Sequence, residues 1–237
     1  MKDDTLGVPL PSHLSELMSL LAHDMRNPLA ALSTNVNFIR SVMKNRIPDV
    51  DEALSDCALS CAALGHIIGN LDVLSRAFAP APPVGQTTPL QKTTTDAIAR
   101  WAPLAATSGI EVELLADERA YAILVDGYLF NRALDNLLAN ALQHSPPGGK
   151  VILEYTARAD RGYVIVIDDG PPVPEHLREV VVTAPGQTAA KSRYEARYGR
   201  GLGLYCASEA ARVAGAELVL GDRGGRSRFE LSAPLVP

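Results

Sequence analysis

Four clusters of residues in this 237-residue chain are of types and spacings that could do chemistry. The first centres on His23, in Leu21-Ala22-His23-Asp24-Met25-Arg26-Asn27-Pro28-Leu29. An imidazole beside a carboxylate can be a nucleophile, because Asp24 can hold one ring nitrogen and leave the other for attack. Asn27 lies four residues on, which in a helix is the same face one turn away. The second cluster is Asn136 and Asn140, two amides four apart in an otherwise Leu- and Ala-rich stretch. Paired amide oxygens suit Mg²⁺ bound to phosphates, since that ion prefers oxygen ligands and keeps part of its water. The third is Val164-Ile165-Val166-Ile167-Asp168-Asp169-Gly170, an apolar strand that delivers a carboxylate to its end. A carboxylate there can accept a hydrogen bond from an exocyclic amine such as adenine's. The fourth is Gly199-Arg200-Gly201-Leu202-Gly203-Leu204, opening a helix. Glycines let backbone N–H groups approach a phosphate, and a helix N-terminus favours an anion. The run lacks the Gly-Lys-Ser/Thr ending of a P-loop and the βαβ setting of a dinucleotide fingerprint. The first three clusters also have a plainer reading: an inert surface histidine, solvated asparagines, an Asp-Asp-Gly turn.

These groups need elements to position them. Leu14, Leu17, Leu21, Met25, Leu29, Leu32, Val36, Ile39 and Met43 recur at helical steps, and His23 faces away from that seam. Pro28 would bend the helix just beyond the histidine. Asn45 to Asp49 reverses the chain, and Leu54, Cys57, Cys61, Leu64, Ile68, Leu71 and Phe78 mark a second helix. Such a hairpin cannot bury two seams alone, so pairing into a four-helix bundle, and hence a homodimer, is expected. The proline-rich stretch from Ala79 to Pro89 reads as a linker. Residues 1–78 are thus the hairpin, 79–89 the linker and 90–237 a second domain.

That domain alternates helix and strand. Helices are expected over Thr95–Thr107, Asp126–His144 and Leu202–Ala214, and strands over Ile110–Leu115, Tyr121–Val125, Val151–Thr156, Tyr163–Ile167, Glu217–Leu220 and Arg228–Ser232. The fold class is therefore α+β. A net charge of −5 does not fit a general nucleic-acid binder. The longest unbroken apolar runs are about six residues, as in Ala120–Val125, well short of the roughly 18 of a membrane span. The N-terminus has no signal-like apolar core, and a cytoplasmic location is expected. Three cysteines without a C-x-x-C pair read as small buried hydrophobes.

Taken together and in this order, the four clusters resemble the core of a bacterial two-component sensor histidine kinase over roughly residues 12 to 235. His23 to Leu29 is similar to the phosphoacceptor box, Asn136 to Pro146 to the N box, and Asp168-Asp169-Gly170 and Gly199 to Leu204 to the two glycine boxes. The resemblance implies an antiparallel helical hairpin followed by a Bergerat-type sandwich, with ATP and Mg²⁺ bound in the latter. It implies that His23 receives the γ-phosphoryl group, that Asp24 is its orienting base, and that Asn27 positions water when the kinase dephosphorylates its partner. Asn140 would ligate Mg²⁺, with Asn136 and His144 near the phosphates. Asp168 would read the adenine amine beside Gly170, and Gly199, Gly201 and Gly203 would shape the lid over ATP. The implied partner is a response-regulator receiver aspartate. Input would come from a separate sensor protein or a sensor region outside this chain.

The sequence departs from the family pattern at Pro172, which replaces the second glycine of the first box, at Gln143, where a lysine is usual, and at Val180-Val181-Val182, where a phenylalanine-rich box is usual. Lys191, Arg193, Arg197 and Arg200 are candidate γ-phosphate cations. Two other readings fit part of the pattern: a phosphotransfer or phosphatase module with a decayed nucleotide site, and a non-catalytic dimeric adaptor.

Overall fold

The structure, a computed structural model, describes residues 12–43, 48–78, 85–117, 119–183 and 202–236. The chain divides into two compact units, Met1–Ala81 and Pro82–Pro237.

In the first unit α1 (Ser12–Met43) packs along α2 (Pro48–Ala77). Pro48, expected in the reversing turn, instead opens α2; proline lacks the N–H that a first helical turn leaves unpaired. Leu29 lies close to Gly65, and Arg26 pairs with Asp72 at 3.5 Å, so the two helices run in opposite directions. Asp72 is buried on this seam and also takes Arg76 from its own helix at 3.4 Å. Val36, Cys61 and Ile68 are buried, whereas Met25, Leu32, Ile39 and Leu64, all expected in the seams, are exposed. Two helices cover only one stripe of each other. Met25, Leu32 and Ile39 recur every seven residues and form a second, uncovered stripe.

Cys57 corrects the expectation of three buried cysteines. It is exposed while Cys61 and Cys206 are buried, because it stands about 100° to the side of Ala58, where the seam of α2 runs. One described helical stretch, Ala53–Ala77, is long and apolar enough to cross a membrane by length and composition alone. Small Ala, Gly, Ser and Cys residues raise its average without giving an unbroken apolar run, and a core helix passes the same test.

The second unit is built on a five-stranded mixed sheet in the order β2 (Glu111–Ala116), β4 (Lys150–Arg158), β5 (Arg161–Asp168), β7 (Arg226–Pro234), β6 (Glu217–Arg223), flanked by the separate pair β1 (Gln86–Pro89) and β3 (Ala122–Val125). Gln86–Pro89, expected as the end of the linker, forms β1 and pairs antiparallel with β3 (Ala122–Val125). Its proline stands at the last position of the strand, where a missing donor is tolerated. Helix α3 (Leu90–Thr107) then starts five residues earlier than its periodicity predicts. Leu90 and Thr94 are both buried, and the Thr94 hydroxyl donates back to the Leu90 carbonyl at 2.9 Å. β2 (Glu111–Ala116) runs parallel to β4 (Lys150–Arg158), while β5 (Arg161–Asp168), β7 (Arg226–Pro234) and β6 (Glu217–Arg223) continue antiparallel. β6 outruns its expected end at Leu220, because only Gly224 and Gly225, with φ of 64° and 82°, turn the chain back.

Helices α3, α4 (Gly127–His144) and α5 (Gly203–Ala214) cover one face. Along β4, Val151, Leu153 and Tyr155 are buried and Ile152, Glu154 and Thr156 are half-buried, which is the alternation of a one-sided sheet. The other face is laced by ion pairs, among them Lys150–Glu113 at 2.7 Å and Arg223–Glu154 at 2.8 Å. β3 crosses close above β5. A Cβ at Gly162 would stand 2.6 Å from Ile123 Cγ2, so glycine is required there.

Candidate functional site

Asp126 caps α4 by accepting from the Leu129 backbone N–H at 3.0 Å. From there Leu129, Phe130, Ala133, Leu134, Leu137, Leu138, Ala141 and Leu142 are all buried, so α4 is the central helix of the unit. Its polar residues are therefore out of keeping with their surroundings. Asn136 is buried, and its Nδ2 donates to the Arg132 carbonyl at 2.9 Å. Gly203, the first residue of α5, comes up against it: a Cβ built there would stand 3.8 Å from Asn136 Oδ1. Among the described residues no side chain caps α5 at Leu202, which leaves its first N–H groups and the positive end of its dipole available to an anion beside Asn136.

One turn further along α4, Asn140 Nδ2 is buried without a hydrogen-bond partner among the described residues. Burying such a group unpaired costs about 1–3 kcal/mol, which a ligand can recover. A half-turn of the amide presents its oxygen at the same point. Among the described residues no three His, Cys, Asp or Glu side chains cluster as metal ligands. The available donors are hard amide oxygens beside a helix N-terminus. That set suits Mg²⁺ carried in on phosphates, with water completing the shell, and does not suit zinc. His144 closes the same helix, half-buried in its last turn.

Asp168 ends β5, fully buried, with Oδ1 accepting from the Gly170 backbone N–H at 2.8 Å. The turn that follows is tied down from two sides. Ser227, opposite Asp168 in register on β7, donates to the Pro171 carbonyl at 2.9 Å. Asp169 accepts from the Lys150 backbone N–H at 2.8 Å and pairs with Arg226 at 3.0 Å. β5 packs against α4. Behind the site, burial pushes the Cys206 thiol up to about 12, against an opposing pull from Arg132. Burial likewise raises Tyr205 beside it.

The structure thus brings Asn136 and Gly203 together, and Asp168 and Gly170 together. Gly199 and Gly201, with the candidate cations Lys191, Arg193, Arg197 and Arg200, lie outside the described residues. His23 and Asp24 stand in α1, their side chains outside the described set, and Asn27 is exposed on the same helix. Sequence reasoning missed Ser227, for which no local signal exists. It also missed a role for Asp135, whose only signal is a carboxylate within an apolar helical run.

Residues 126–237 match the family of histidine kinase-, DNA gyrase B- and HSP90-like ATPases. The chain is 28% identical over 196 residues to the signal transduction histidine-protein kinase/phosphatase MprB of Mycolicibacterium smegmatis, covering 80% of this chain and 38% of that protein. It is 26% identical over 226 residues to the sensor histidine kinase GlrK of Escherichia coli K12, covering 94% of this chain and 47% of that protein. The chain spans less than half the length of either relative. Among solved structures, full-length ShkA in complex with AMPPNP aligns with a TM-score of 0.65 at 21% identity, over 94% of this chain and 46% of that one. The mycobacterial sensor histidine kinase MprB aligns at 0.53 and 22% identity, over 65% and 99%. The fold of the second unit is accordingly the Bergerat-type α+β fold.

Proposed function

We propose that this chain is the kinase core of a two-component sensor histidine kinase, which binds Mg²⁺·ATP in its second unit and phosphorylates His23. The observation that carries this reading is the meeting of Asn136 with the first residue of α5, together with the buried Nδ2 of Asn140 one turn along α4, which has no hydrogen-bond partner among the described residues. Asp168 reads the adenine amine from the floor of the site. The amides of Asn136 and Asn140 and the first N–H groups of α5 hold the phosphates, with His144 at the end of the same helix. Mg²⁺, when bound through Asn140, supplies charge neutralisation.

The chemistry is positioning more than covalent assistance. The free nitrogen of His23 attacks the γ-phosphorus, a nitrogen–phosphorus bond forms, and the bond to the β–γ bridging oxygen breaks to release ADP. Asp24 holds the other ring nitrogen and with it the proton. The phosphoryl group then passes to an aspartate of a response-regulator receiver domain, and Asn27, exposed one turn from His23, orients water for the reverse, dephosphorylating duty.

The uncovered stripe of Met25, Leu32 and Ile39 on α1, with exposed Leu64 and Ile67 on α2, supports a second copy packing there to complete a four-helix bundle. The core works in the cytoplasm, where ATP is supplied, and takes its signal from a region or protein outside this chain. Incubation with γ-labelled ATP and Mg²⁺ tests the reading. Acid-labile, base-stable label is expected on the wild type and on neither His23→Gln nor Asn140→Asp. Nucleotide binding without label in the wild type refutes kinase activity, and label retained by His23→Gln refutes the site.

A further inference from the structure

Asp135 takes no part in the site as described, yet it is buried and heavily bonded. Adjacent helical residues point about 100° apart, so while Asn136 meets the start of α5, Asp135 addresses α3. There its Oδ1 accepts from Trp101 Nε1 at 2.8 Å and from Arg100 Nη2 at 3.0 Å and Nε at 3.3 Å. Arg132, on α4 itself, stands 3.8 Å from the other oxygen. Arg100 also donates to Asn131 Oδ1 at 3.4 Å, so α3 grips α4 on two successive turns.

Apart from Asp135 and Asn136, the buried residues of α4 are Leu, Ala and Phe, whose burial is non-directional and fixes rotation about the helix axis less sharply than a hydrogen bond does. Hydrogen bonds converging on one carboxylate oxygen are directional and fail when the helix turns by a few tens of degrees. We propose that Asp135 is a positioning residue for the nucleotide site: held by Trp101 and Arg100, it sets the rotation of α4 and so aims the amide of Asn136 at the N-terminus of α5 and orients that of Asn140 one turn along. This rests on the nucleotide-binding reading above.

The test is calorimetric titration of the full chain with AMPPNP, in Mg²⁺ and again in EDTA, for the wild type, Asp135→Asn and Trp101→Phe. Melting curves ensure that every titration is run on folded protein. In Asp135→Asn, Mg²⁺·AMPPNP binding is expected to weaken about ten- to a hundred-fold, the usual effect of losing a group that orients a metal ligand. Binding in EDTA should weaken far less, and Trp101→Phe should show the same selectivity at a smaller factor. Trp101 is the only tryptophan, so a change in its emission when nucleotide binds the wild type supports the coupling independently. A lower melting temperature with wild-type affinity in both media makes Asp135 a structural brace and overturns the proposal. If Asp135→Asn does not fold, Trp101→Phe decides the question by the same two ratios. A wild type that binds no AMPPNP overturns the nucleotide reading itself, whereas a binding wild type with unaltered variants overturns this inference alone.

Discussion

Substituting asparagine for Asp168 separates a ligand-reading carboxylate from a turn-forming one. The side chain is fully buried, and one of its oxygens already accepts from Gly170 at 2.8 Å. Asparagine keeps a carbonyl oxygen for that bond, so the turn survives. The variant loses the negative charge and the second acceptor oxygen, and gains an N–H₂ donor. A hydrogen bond to a charged group contributes about 1.5–3 kcal/mol, so AMPPNP affinity should fall roughly ten- to 150-fold. Guanine carries an acceptor oxygen where adenine carries an amine, and the new donor suits it. GMPPNP should therefore bind the variant as well as or better than it binds the wild type. Titration of both nucleotides in Mg²⁺, with a melting curve for each protein, measures the effect. A folded variant that binds AMPPNP like the wild type refutes the reasoning. Equal losses for both nucleotides would show that Asp168 acts only on the turn.

Ser227→Ala removes the hydroxyl without adding bulk at a fully buried position and strands the Pro171 carbonyl, so thermal melting should show a loss of about 1–2 kcal/mol; an unchanged melt contradicts the anchoring role. Cys206 sits at about 12 against 9.0 for a free thiol, so its stabilising contribution is complete below pH 9 and is lost as the pH rises towards 12. That gap is worth up to about 4 kcal/mol, and Cys206→Ala should flatten the alkaline fall in urea stability by a comparable amount. At pH 8 a thiol reagent should modify exposed Cys57 at once and Cys206 only on unfolding; rapid labelling of Cys206 contradicts its burial. Leu32→Glu, in the middle of the uncovered α1 stripe, should give a monomer by sedimentation, and a dimer that persists places the partner elsewhere.

The parts of the fold that were legible in the sequence are those with local causes. α4 announces itself by the Asp126 cap, a sustained leucine period and His144 at its end, and its observed span matches that reading to a residue. Asn136 and Asn140 were legible for the opposite reason: two amides in an apolar helix conflict with their neighbours, and such conflicts concentrate at functional sites. Long-range pairing hid the rest. β1 could not be recognised among the prolines because it exists only through pairing with β3, more than thirty residues away. Ser227 acquires its role from the register of β7 on β5, which places it opposite Asp168. Asp135 was visible as a residue, but its partners Trp101 and Arg100 come from a different helix. The exposed stripe on α1 shows the same limit in another form, since its seven-residue period is local but what covers it is not.

The two halves of the site are held by separate contacts, and this has a measurable consequence. The segment after Asp168 is fixed from β7 by Ser227, by burial of Val173, and by Arg178, which donates to the Val173 carbonyl at 3.1 Å and to Asp222 at 3.0 Å. Where the family pattern has a second glycine, Pro172 stands within this anchored stretch, so the turn is held without the freedom a glycine would bring. The amide half depends instead on α4 and its brace to α3. No partner is shared between the hydrogen bonds of Ser227 and those of Asp135. Changes at independent sites add to within about 0.5 kcal/mol, so Ser227→Ala and Asp135→Asn should weaken Mg²⁺·AMPPNP binding by factors that multiply in the double variant. A double variant no worse than Asp135→Asn alone would mean that the adenine and phosphate halves move as one body. The rotation of α4 would then be set through the sheet, and Ser227 and Asp135 would be two ends of a single support.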